Sequence, residues 1–498
     1  MGMLNGVPYS VYNNVISHKP IHQILFLMKR ILLTATLLLV ALTTFAAGRA
    51  KYVFYFIGDG MGVNQVNGTE TYMAALEGRI GTTSLLFTTF PQTALITTYS
   101  GTNGVTDSAA AGTALATGKK TKNHALGMLA DGQTVIYSVA QWAKDAGAAV
   151  GVTTSVSVDH ATPAAFYAHV PERSSYYAVG KDLIRADYDF YAGSDFMEPT
   201  SKNAPAEGSL YEQCSKAGYI IARGYADYQK KFKKGQKMLL LQTEAASQRE
   251  RKSIPYALDR TADDLTLAQI TEAAIQSLTA QKKDGFFLMV EGGKIDWACH
   301  SNDAANVFHE VQDMDQAIQV AYKFYEQHPD ETLIVVTADH ETGGIVLGRG
   351  PYELHTDLLQ YQRMSVENYS AHLAELSKKK GNALTWEMVK ADLEENWGFW
   401  KHISLNDNQQ QRLQAAFNAL KKNSDKGEKS LYASLNSLAT TARDIINEAA
   451  LIGWVSGGHS NGYVPLFAIG AGSEIFNGKY DNTEIPQRIA KVAGWQQR

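Results

Sequence analysis

The chain contains several short stretches in which apolar residues follow one another almost without interruption. Runs of about four to eight such residues are typical of strands that are buried on both faces, as in parallel sheets covered by helices. Runs of this kind occupy residues 52–57, 148–154, 286–290, 332–337 and 464–470. They predict an α/β fold in which a large, mostly parallel central sheet is sandwiched by helices.

Between these runs, apolar residues recur at helical spacing. The clearest set has spacings of four, three, four and four, which predicts one face of an amphipathic helix; its members are Val307, Val311, Met314, Ile318 and Tyr322. Residues 345–455 differ because they hold several periodic sets but no strand-like run. We therefore predict about four helices there. They would form a helical insertion at 345–455 within one α/β domain made of residues 48–344 and 456–498.

The N-terminal region carries the pattern of a secretory signal peptide. Lys29 and Arg30 precede an apolar run at 31–42, and small residues follow up to Ala46 and Ala47, where cleavage is expected. The run is short for a bilayer span of about 20 residues, so no membrane span is expected after cleavage. Residues 28–47 are thus a predicted signal peptide, and residues 1–27 a predicted non-native extension. The mature protein is expected to be periplasmic or secreted.

Charge and cysteine content exclude some classes of protein. The 498 residues include 46 basic and 50 acidic side chains, and a net charge of −4 lacks the basic footprint of a nucleic-acid-binding protein. An anionic substrate would need positive charge supplied locally, by arginine or by a metal ion. Cys214 and Cys299 make no disulfide framework, and whether they pair is left open. Cys299 is expected to be a buried free thiol rather than a metal ligand.

Chemically active side chains lie directly beside the predicted strands. In open α/β sheets the carboxyl ends of parallel strands meet at one edge, where ligands bind. We therefore expect seven such side chains to converge at that edge. They are Asp59, His160, Glu291, Asp296, Asp339, His340 and His459, of which His459 comes just before the last run. Asp296 and His300 are four residues apart and would share a helix face. Taken singly, Asp59 is more often an ordinary turn residue, and the pair Asp296 and His300 is more often a surface salt bridge.

The small-residue segment at 105–118 predicts a helix that begins near Ser108 and ends at Gly118. The Ser108 hydroxyl would lie in the first turn, where free backbone N–H groups and the helix dipole favour negative charge. A serine held there can act as a nucleophile or carry a phosphoryl group. Taken alone, such a segment is more often a packed helix with Asp107 as an ordinary N-cap. The surrounding residues decide between the two interpretations.

The candidate ligands are carboxylates and imidazoles without thiolates, a set that suits zinc and magnesium. Three acidic residues and three histidines could hold two ions about 4 Å apart, the spacing of a two-metal site for phosphoryl transfer. One ion would lower the pKa of the serine. The other would stabilise the leaving oxygen and then activate water.

Six motifs, taken in order, resemble the alkaline phosphatase family. They are Gly58-Asp59-Gly60-Met61-Gly62, Asp107-Ser108-Ala109, His160-Ala161-Thr162-Pro163-Ala164, Glu291-Gly292 with Asp296 and His300, Thr337-Ala338-Asp339-His340-Glu341-Thr342-Gly343-Gly344, and His459. Their order and approximate spacing match the family from about residue 50 to about residue 475. The resemblance is therefore highly specific.

The resemblance implies a metal site for each group of matching residues. It implies a first zinc ion bound by Asp296, His300 and His459, and a second bound by Asp59, Asp339 and His340 together with the Ser108 oxygen. It implies a magnesium ion bound by Asp59, Thr162 and Glu291.

Four further positions bear on the substrate. Arg173 matches the arginine that grips phosphate in the family, a task that suits a bidentate guanidinium, and Asp107 would hold it. His160 replaces an aspartate that some members carry near the third metal, and Trp297 stands where others carry lysine or histidine. We therefore expect the third site to favour magnesium. We also expect phosphate to be held less tightly than in members that carry lysine at the position of Trp297.

The activity implied by the resemblance is hydrolysis of small phosphate monoesters through a phosphoserine intermediate, with two zinc ions and one magnesium ion. The family often dimerises, so a homodimer is left open. The main alternative is a phosphodiesterase or sulfatase on the same fold. Diesterases tend to use a threonine nucleophile, and sulfatases a modifiable cysteine or serine in another motif. The second alternative is an inactive secreted metal-binding protein, although no predicted ligand is missing.

Overall fold

The five predicted strands all belong to one ten-stranded sheet of the computed structural model. The structure describes Met28, residues 49–422 and residues 424–498. The predicted extension at 1–27 and, apart from Met28, the predicted signal peptide at 28–47 lie outside the described residues. The strands are β1 (Tyr52–Gly58), β2 (Gln92–Thr97), β3 (Ala149–Thr154), β4 (Phe190–Gly193), β5 (Tyr219–Arg223), β6 (Lys237–Leu241), β7 (Phe286–Gly292), β8 (Thr332–Ala338), β9 (Glu341–Thr342), β10 (Val346–Leu347), β11 (Glu428–Lys429), β12 (Ser434–Leu435), β13 (Ile452–Gly453), β14 (His459–Ser460), β15 (Val464–Gly470) and β16 (Gly478–Asp481).

The sheet is mostly parallel, which confirms the prediction. Its strand order is β16-β2-β15-β8-β1-β7-β3-β4-β6-β5. β1 pairs in parallel with β7 and β8, and β3 pairs in parallel with β7 and β4. β15 runs antiparallel to its neighbours β8 and β2. Every residue of β3, β7 and β8 is buried. Because successive side chains of a strand point to opposite faces, both faces of the central sheet are covered.

The described residues form sixteen α-helices around this sheet. They are α1 (Val63–Leu76), α2 (Ser108–Thr117), α3 (Val139–Asp145), α4 (Ala161–Ala164), α5 (Tyr176–Ala186), α6 (Leu210–Lys216), α7 (Tyr225–Lys231), α8 (Glu244–Arg249), α9 (Leu267–Thr279), α10 (Lys294–His300), α11 (Ala304–Gln327), α12 (Val366–Lys380), α13 (Trp386–Trp397), α14 (Asp407–Lys421), α15 (Ser437–Ala449) and α16 (Glu484–Ala493). In α11 the predicted apolar face is buried except for half-buried Tyr322, which confirms that helix. Among the described residues, no helix is both long and apolar enough to cross a membrane.

Residues 345–455 contain α12 to α15 and the short strands β10 to β13, and the four helices agree with the predicted number. Polar contacts attach this segment to Asp303, the N-cap of α11, and to Asp259. Asp303 accepts hydrogen bonds from Gln362 Nε2 and from the backbone N–H of Val366, both at 2.8 Å. Ser365 Oγ donates to Asp259 Oδ2 at 2.6 Å. The boundaries of the segment as an insertion stay a prediction.

Candidate active site and metal centre

The register of the central strands brings acidic residues to one level. The last residue of β1 pairs with the last residues of β7 and β8. Asp59 and Asp339 directly follow β1 and β8 and therefore lie side by side, while Glu291 is the penultimate residue of β7. Gly60 has φ +71°, and a Cβ atom there would lie 2.9 Å from Cα of Asp296. The loop after β1 can approach α10 this closely because the residue is glycine.

Helix α10 and a short ladder supply the next ligands. α10 presents Asp296 and His300 one turn apart, with His300 Nε2 3.2 Å from Asp296 Oδ2. Both side chains are buried, so the pair is not the surface salt bridge that this spacing often makes. β14 pairs with β9 so that His459 lies opposite Thr342. His459 Nε2 lies 3.6 Å from Asp296 Oδ1.

Helix α2 carries the predicted serine, Ser108, at its first position. It begins at Ser108 and stops at Gly118, whose φ of 71° is the left-handed conformation of a helix-terminating glycine. Asp107 caps it by accepting a hydrogen bond from the backbone N–H of Ala110 at 3.0 Å. The predicted helix and both of its ends are confirmed. Ser108 is fully buried, and its Oγ lies 3.3 Å from His340 Nε2.

The candidate ligands form three adjoining clusters. The first cluster is Asp296, His300 and His459; the second is Asp59, Asp339 and His340; the third is Asp59, His160 and Glu291. In the second and third clusters, one ligand atom from each residue lies within 4.8 Å of the others. His340 is also within that distance of the first cluster's Asp296 and His459, so the two clusters are contiguous. Beside the third cluster, Thr162 Oγ1 lies 3.5 Å from Asp59 Oδ2.

Every cluster contains buried polar atoms that have no hydrogen-bond partner within the described part of the chain. They are Asp296 Oδ2, Asp59 Oδ1, Asp339 Oδ2, Glu291 Oε1 and His160 Nδ1. An unsatisfied buried polar group costs about 1–3 kcal/mol, and more when it is charged. Most of these atoms are carboxylate oxygens, which only accept when ionised. Coordinated cations would satisfy these carboxylate oxygens, so the residues present fit a metal centre.

The orientation of two histidines supports the same conclusion. His300 Nδ1 lies 2.6 Å from the carbonyl oxygen of Gly457, and His459 Nδ1 lies 2.8 Å from that of Thr106. Because a carbonyl only accepts, each Nδ1 carries a proton and each neutral ring presents a lone pair at Nε2. The two Nε2 atoms are 3.2 Å apart. Two facing lone pairs need a proton or a cation between them, so the first cluster has the arrangement of a ligand set.

Burial and charge shift the pKa values across the site. Burial, and after it the neighbouring carboxylates, raises the pKa of Asp59 and of Asp339 well above the usual range. Burial raises the pKa of Glu291 to about 7. Burial also lowers the pKa of His340 well below its usual range and that of His160 to about 3. The second and third clusters thus favour neutral His340 and His160, and they disfavour charge on Asp59, Asp339 and Glu291 unless a cation compensates it. In the first cluster the pairing of charges outweighs burial: the neighbouring histidines lower the pKa of Asp296, and Asp296 raises the pKa of His300.

Arg173 lies at the rim of the site, with 16% of its side chain exposed. Its Nη1 donates to Asp107 Oδ2 at 3.3 Å, and its Nη2 lies 3.3 Å from His160 Nε2. Asp107 therefore contacts both the start of α2 and the guanidinium group. The two contacts place a fixed positive charge beside the cap of the helix that begins at Ser108.

Trp297 forms an aromatic stack with a residue of the predicted insertion. The rings of Trp297 and Tyr432 are 4.2 Å apart and inclined by 12°. Tyr432 also lies 6.0 Å from the ring of His160 and 5.4 Å from that of His300. Trp297 is covered, with 4% of its surface exposed. Lys294 Nζ lies 4.8 Å from the Trp297 ring, and burial lowers the pKa of this ammonium group.

Two residues in contact with the clusters were not predicted from the sequence. Tyr432 belongs to a segment whose apolar periodicity indicates helices and says nothing about a contact with the site. Thr342 is part of the motif that carries Asp339 and His340, but no role was assigned to it. Its hydroxyl contacts Asp296 Oδ1 and His340 Nδ1. Its position two residues after a ligand was the signal that could have identified it.

The remaining candidates lie outside the clusters. Both Cys214 and Cys299 are free and buried, and burial raises the pKa of each thiol, so the expected free thiol at Cys299 is confirmed. The three histidines of residues 345–455 lie outside the clusters as well and have partners of their own. His355 pairs with Glu353, His372 with Asp392, and His402 stacks on Tyr361.

Comparison with known sequences places this chain in a family. The family model described as alkaline phosphatase matches residues 50–186 and 235–495. Alkaline phosphatase 3 of Bacillus subtilis (strain 168) is 30% identical over 455 residues, which cover 89% of this chain and 88% of the relative. Alkaline phosphatase 4 of the same organism is 31% identical over 397 residues, which cover 78% of this chain and 76% of the relative.

Solved structures agree in fold over nearly the whole chain. The cold-active alkaline phosphatase from the psychrophile Shewanella sp. has a TM-score of 0.73 and 28% identity, covering 89% of this chain and 99% of that one. The alkaline phosphatase of Thermus thermophilus has a TM-score of 0.73 and 27% identity, covering 91% and 93%. Together with the family model, these matches show that the chain belongs to the alkaline phosphatase family, whose members are hydrolases of phosphate esters.

Proposed function

We propose that this protein is an alkaline phosphatase that hydrolyses phosphate monoesters to an alcohol and inorganic phosphate. The observation that carries the proposal is the position of Ser108 Oγ, 3.3 Å from His340 Nε2, beside buried clusters of unsatisfied carboxylate and imidazole atoms. A hydroxyl held at a helix N-terminus next to a metal centre is suited to nucleophilic attack on phosphorus. Membership of the family supports the same reaction.

Two zinc ions and one magnesium ion fit the three clusters. We assign a zinc ion to the first cluster and another to the second, because carboxylate and imidazole together suit zinc. We assign magnesium to the third cluster with Thr162, since most of its ligand atoms are oxygens. When bound, these ions supply Lewis-acid stabilisation of charge on the attacking and leaving oxygens.

Several residues of the chain have distinct roles in the proposed reaction. Ser108 Oγ attacks the phosphorus opposite the leaving alcohol, so that the bond to the alcohol breaks and a phosphoserine forms. The Arg173 guanidinium, oriented by Asp107 and His160, binds two phosphate oxygens as a fork. Water then attacks the phosphorus opposite Ser108, which releases inorganic phosphate and restores the hydroxyl. Asp107 keeps the serine at the first turn of α2 in both steps.

A phosphodiesterase or sulfatase on the same fold is the competing proposal. Ser108, Arg173 and the oxygen ligands Thr162 and Glu291 favour the monoester. We expect the metal-loaded protein to hydrolyse p-nitrophenyl phosphate with a kcat/KM orders of magnitude above those for bis(p-nitrophenyl) phosphate and p-nitrophenyl sulfate. Equal or higher efficiency on either competing substrate would contradict the proposal. A protein that binds metal but hydrolyses none of the three would support the inactive metal-binding alternative.

Trp297 is expected to keep the affinity for the phosphate product low, because an indole supplies no positive charge at this position. We predict that Trp297→Lys lowers the inhibition constant of inorganic phosphate several-fold against p-nitrophenyl phosphate. Trp297→Phe is the matched control, since it also removes the indole ring that stacks on Tyr432 but adds no charge. If the lysine variant shows the same inhibition constant as the phenylalanine variant, the role of charge at position 297 is wrong.

We also propose a periplasmic or secreted location, which rests on the signal pattern at 28–47 and on the cleavage positions at Ala46 and Ala47. Small phosphate esters would be the substrates. A homodimer is compatible with this proposal and is not required by any of its steps.

A further inference from the structure

One buried hydroxyl touches ligands of two different clusters. Thr342 Oγ1 lies 2.6 Å from Asp296 Oδ1 of the first cluster and 3.2 Å from His340 Nδ1 of the second. The residue is fully buried. No other hydroxyl in the described part of the chain forms hydrogen bonds to ligands of both clusters.

The two distances fix the direction of each hydrogen bond. A separation of 2.6 Å is typical of a hydroxyl that donates to a carboxylate. A threonine hydroxyl has one proton, and here Asp296 takes it. His340 must therefore donate its Nδ1 proton to Thr342 Oγ1, and 3.2 Å is within the range of an N–H···O bond. The lone pair of His340 then sits at Nε2, the nitrogen that faces Asp59, Asp339 and Ser108.

The backbone of Thr342 is held in place by contacts with His459 and with Gln65. It lies opposite His459 in the β9–β14 ladder. Its carbonyl oxygen accepts a hydrogen bond from Gln65 Nε2 at 2.8 Å. The hydroxyl is therefore held at a fixed position, from which it can orient the side chains of both neighbouring clusters.

We propose that Thr342 is a positioning residue that links the first and second metal clusters. Its hydroxyl orients the Asp296 carboxylate in one and sets the ring tautomer of His340 in the other. The proposal rests on the proposed metal-dependent function. Partners of this kind are worth about 10- to 100-fold in metal affinity. Loss of one hydroxyl should therefore weaken zinc binding at two places.

The test measures zinc affinity by competition with a fluorescent chelator. It uses the wild-type chain, a His300→Ala background that retains the second cluster, and an Asp339→Ala background that retains the first. Adding Thr342→Val should weaken the remaining zinc site about 10- to 100-fold in both backgrounds. Thr342→Ser, which keeps the hydroxyl, should stay within about threefold of the parent. Visible absorption of the Co²⁺-loaded proteins should change with Thr342→Val and not with Thr342→Ser.

Thr337→Val is the matched control. Thr337 is equally buried, and its hydroxyl donates to the carbonyl of Pro465 rather than to a ligand. The Thr337→Val variant should lower the free energy of unfolding without changing the zinc affinity. If Thr342→Val does not fold, Thr342→Ala replaces it, because that change adds no atom. Unchanged zinc affinity, or loss at one cluster alone, would overturn the proposal. A wild-type chain that binds no zinc would instead overturn the proposed function.

Discussion

Ser108→Ala is expected to lower kcat/KM for p-nitrophenyl phosphate by about three orders of magnitude or more, because the variant cannot form a covalent intermediate. The fold should not change. Alanine is a good residue for a first helical turn, the Asp107 cap is untouched, and the hydroxyl contacts only His340. Steady-state kinetics of the purified variant measure the fall in kcat/KM. Its metal content and a thermal melt show whether the site and the fold are unchanged.

Ser277→Ala is the control for that experiment. Ser277 is also a buried helical serine, but its hydroxyl contacts Tyr228, away from the clusters. It should retain wild-type kinetics. A Ser108→Ala variant that keeps its metals and more than about a tenth of the wild-type rate would show that another group attacks phosphorus.

Removal of the metals is expected to abolish activity and to make the protein less stable as the pH rises. The metal-free native state retains protons on Asp59, Asp339 and Glu291, because burial raises the pKa of each. The unfolded chain has already lost those protons above about pH 5. Stability is therefore present at low pH and is lost as the pH rises through the folded pKa values. For Glu291, a rise to about 7 corresponds to about 3 kcal/mol.

Urea unfolding of the chelated protein between pH 6.5 and pH 8 measures this effect. Burial lowers the pKa of His160 and His340 in the folded state, so at the lower end of this range only the unfolded imidazoles are partly protonated, and they offset a small part of the fall. Above about pH 7.5 both histidines are neutral in both states and no longer oppose the fall. Zinc and magnesium should restore activity and remove the fall in stability, because a bound cation keeps the carboxylates ionised. Glu291→Gln should make the fall shallower in the metal-free protein. A metal-free protein that is equally stable, or more stable, at pH 8 contradicts this account.

The central sheet was predictable because its strands are buried on both faces and therefore consist of unbroken apolar runs. β2, β4, β5, β6 and β16 escaped the same criterion. They are four to six residues long, and β2 alternates between buried and exposed residues, so none of them makes a long apolar run. β16 and β5 are the two edge strands and are partly solvated, so their sequences resemble loops more than core strands. β4 and β6 lie inside the sheet and are buried, and they were missed because they are only four and five residues long.

The clustering of the candidate ligands was predictable for the same physical reason. Each lies beside an apolar run or in a motif close to one, and a parallel sheet brings those positions to one edge. The position of Tyr432 depends instead on how residues 345–455 fold back over α10. The role of Thr342 depends on which of two neighbouring groups takes its proton. Both require distances between side chains that are far apart in the sequence, and residue patterns do not contain them.

The most direct test of the central claim is to trap the covalent intermediate. The metal-loaded protein is mixed with a ³²P-labelled phosphate monoester, quenched in acid within one turnover, and digested for peptide mapping. We expect labelled phosphoserine in the peptide that contains Ser108 and no label in the Ser108→Ala protein. Labelled phosphate retained by the Ser108→Ala protein, or found on another residue of the wild-type chain, would contradict the central claim.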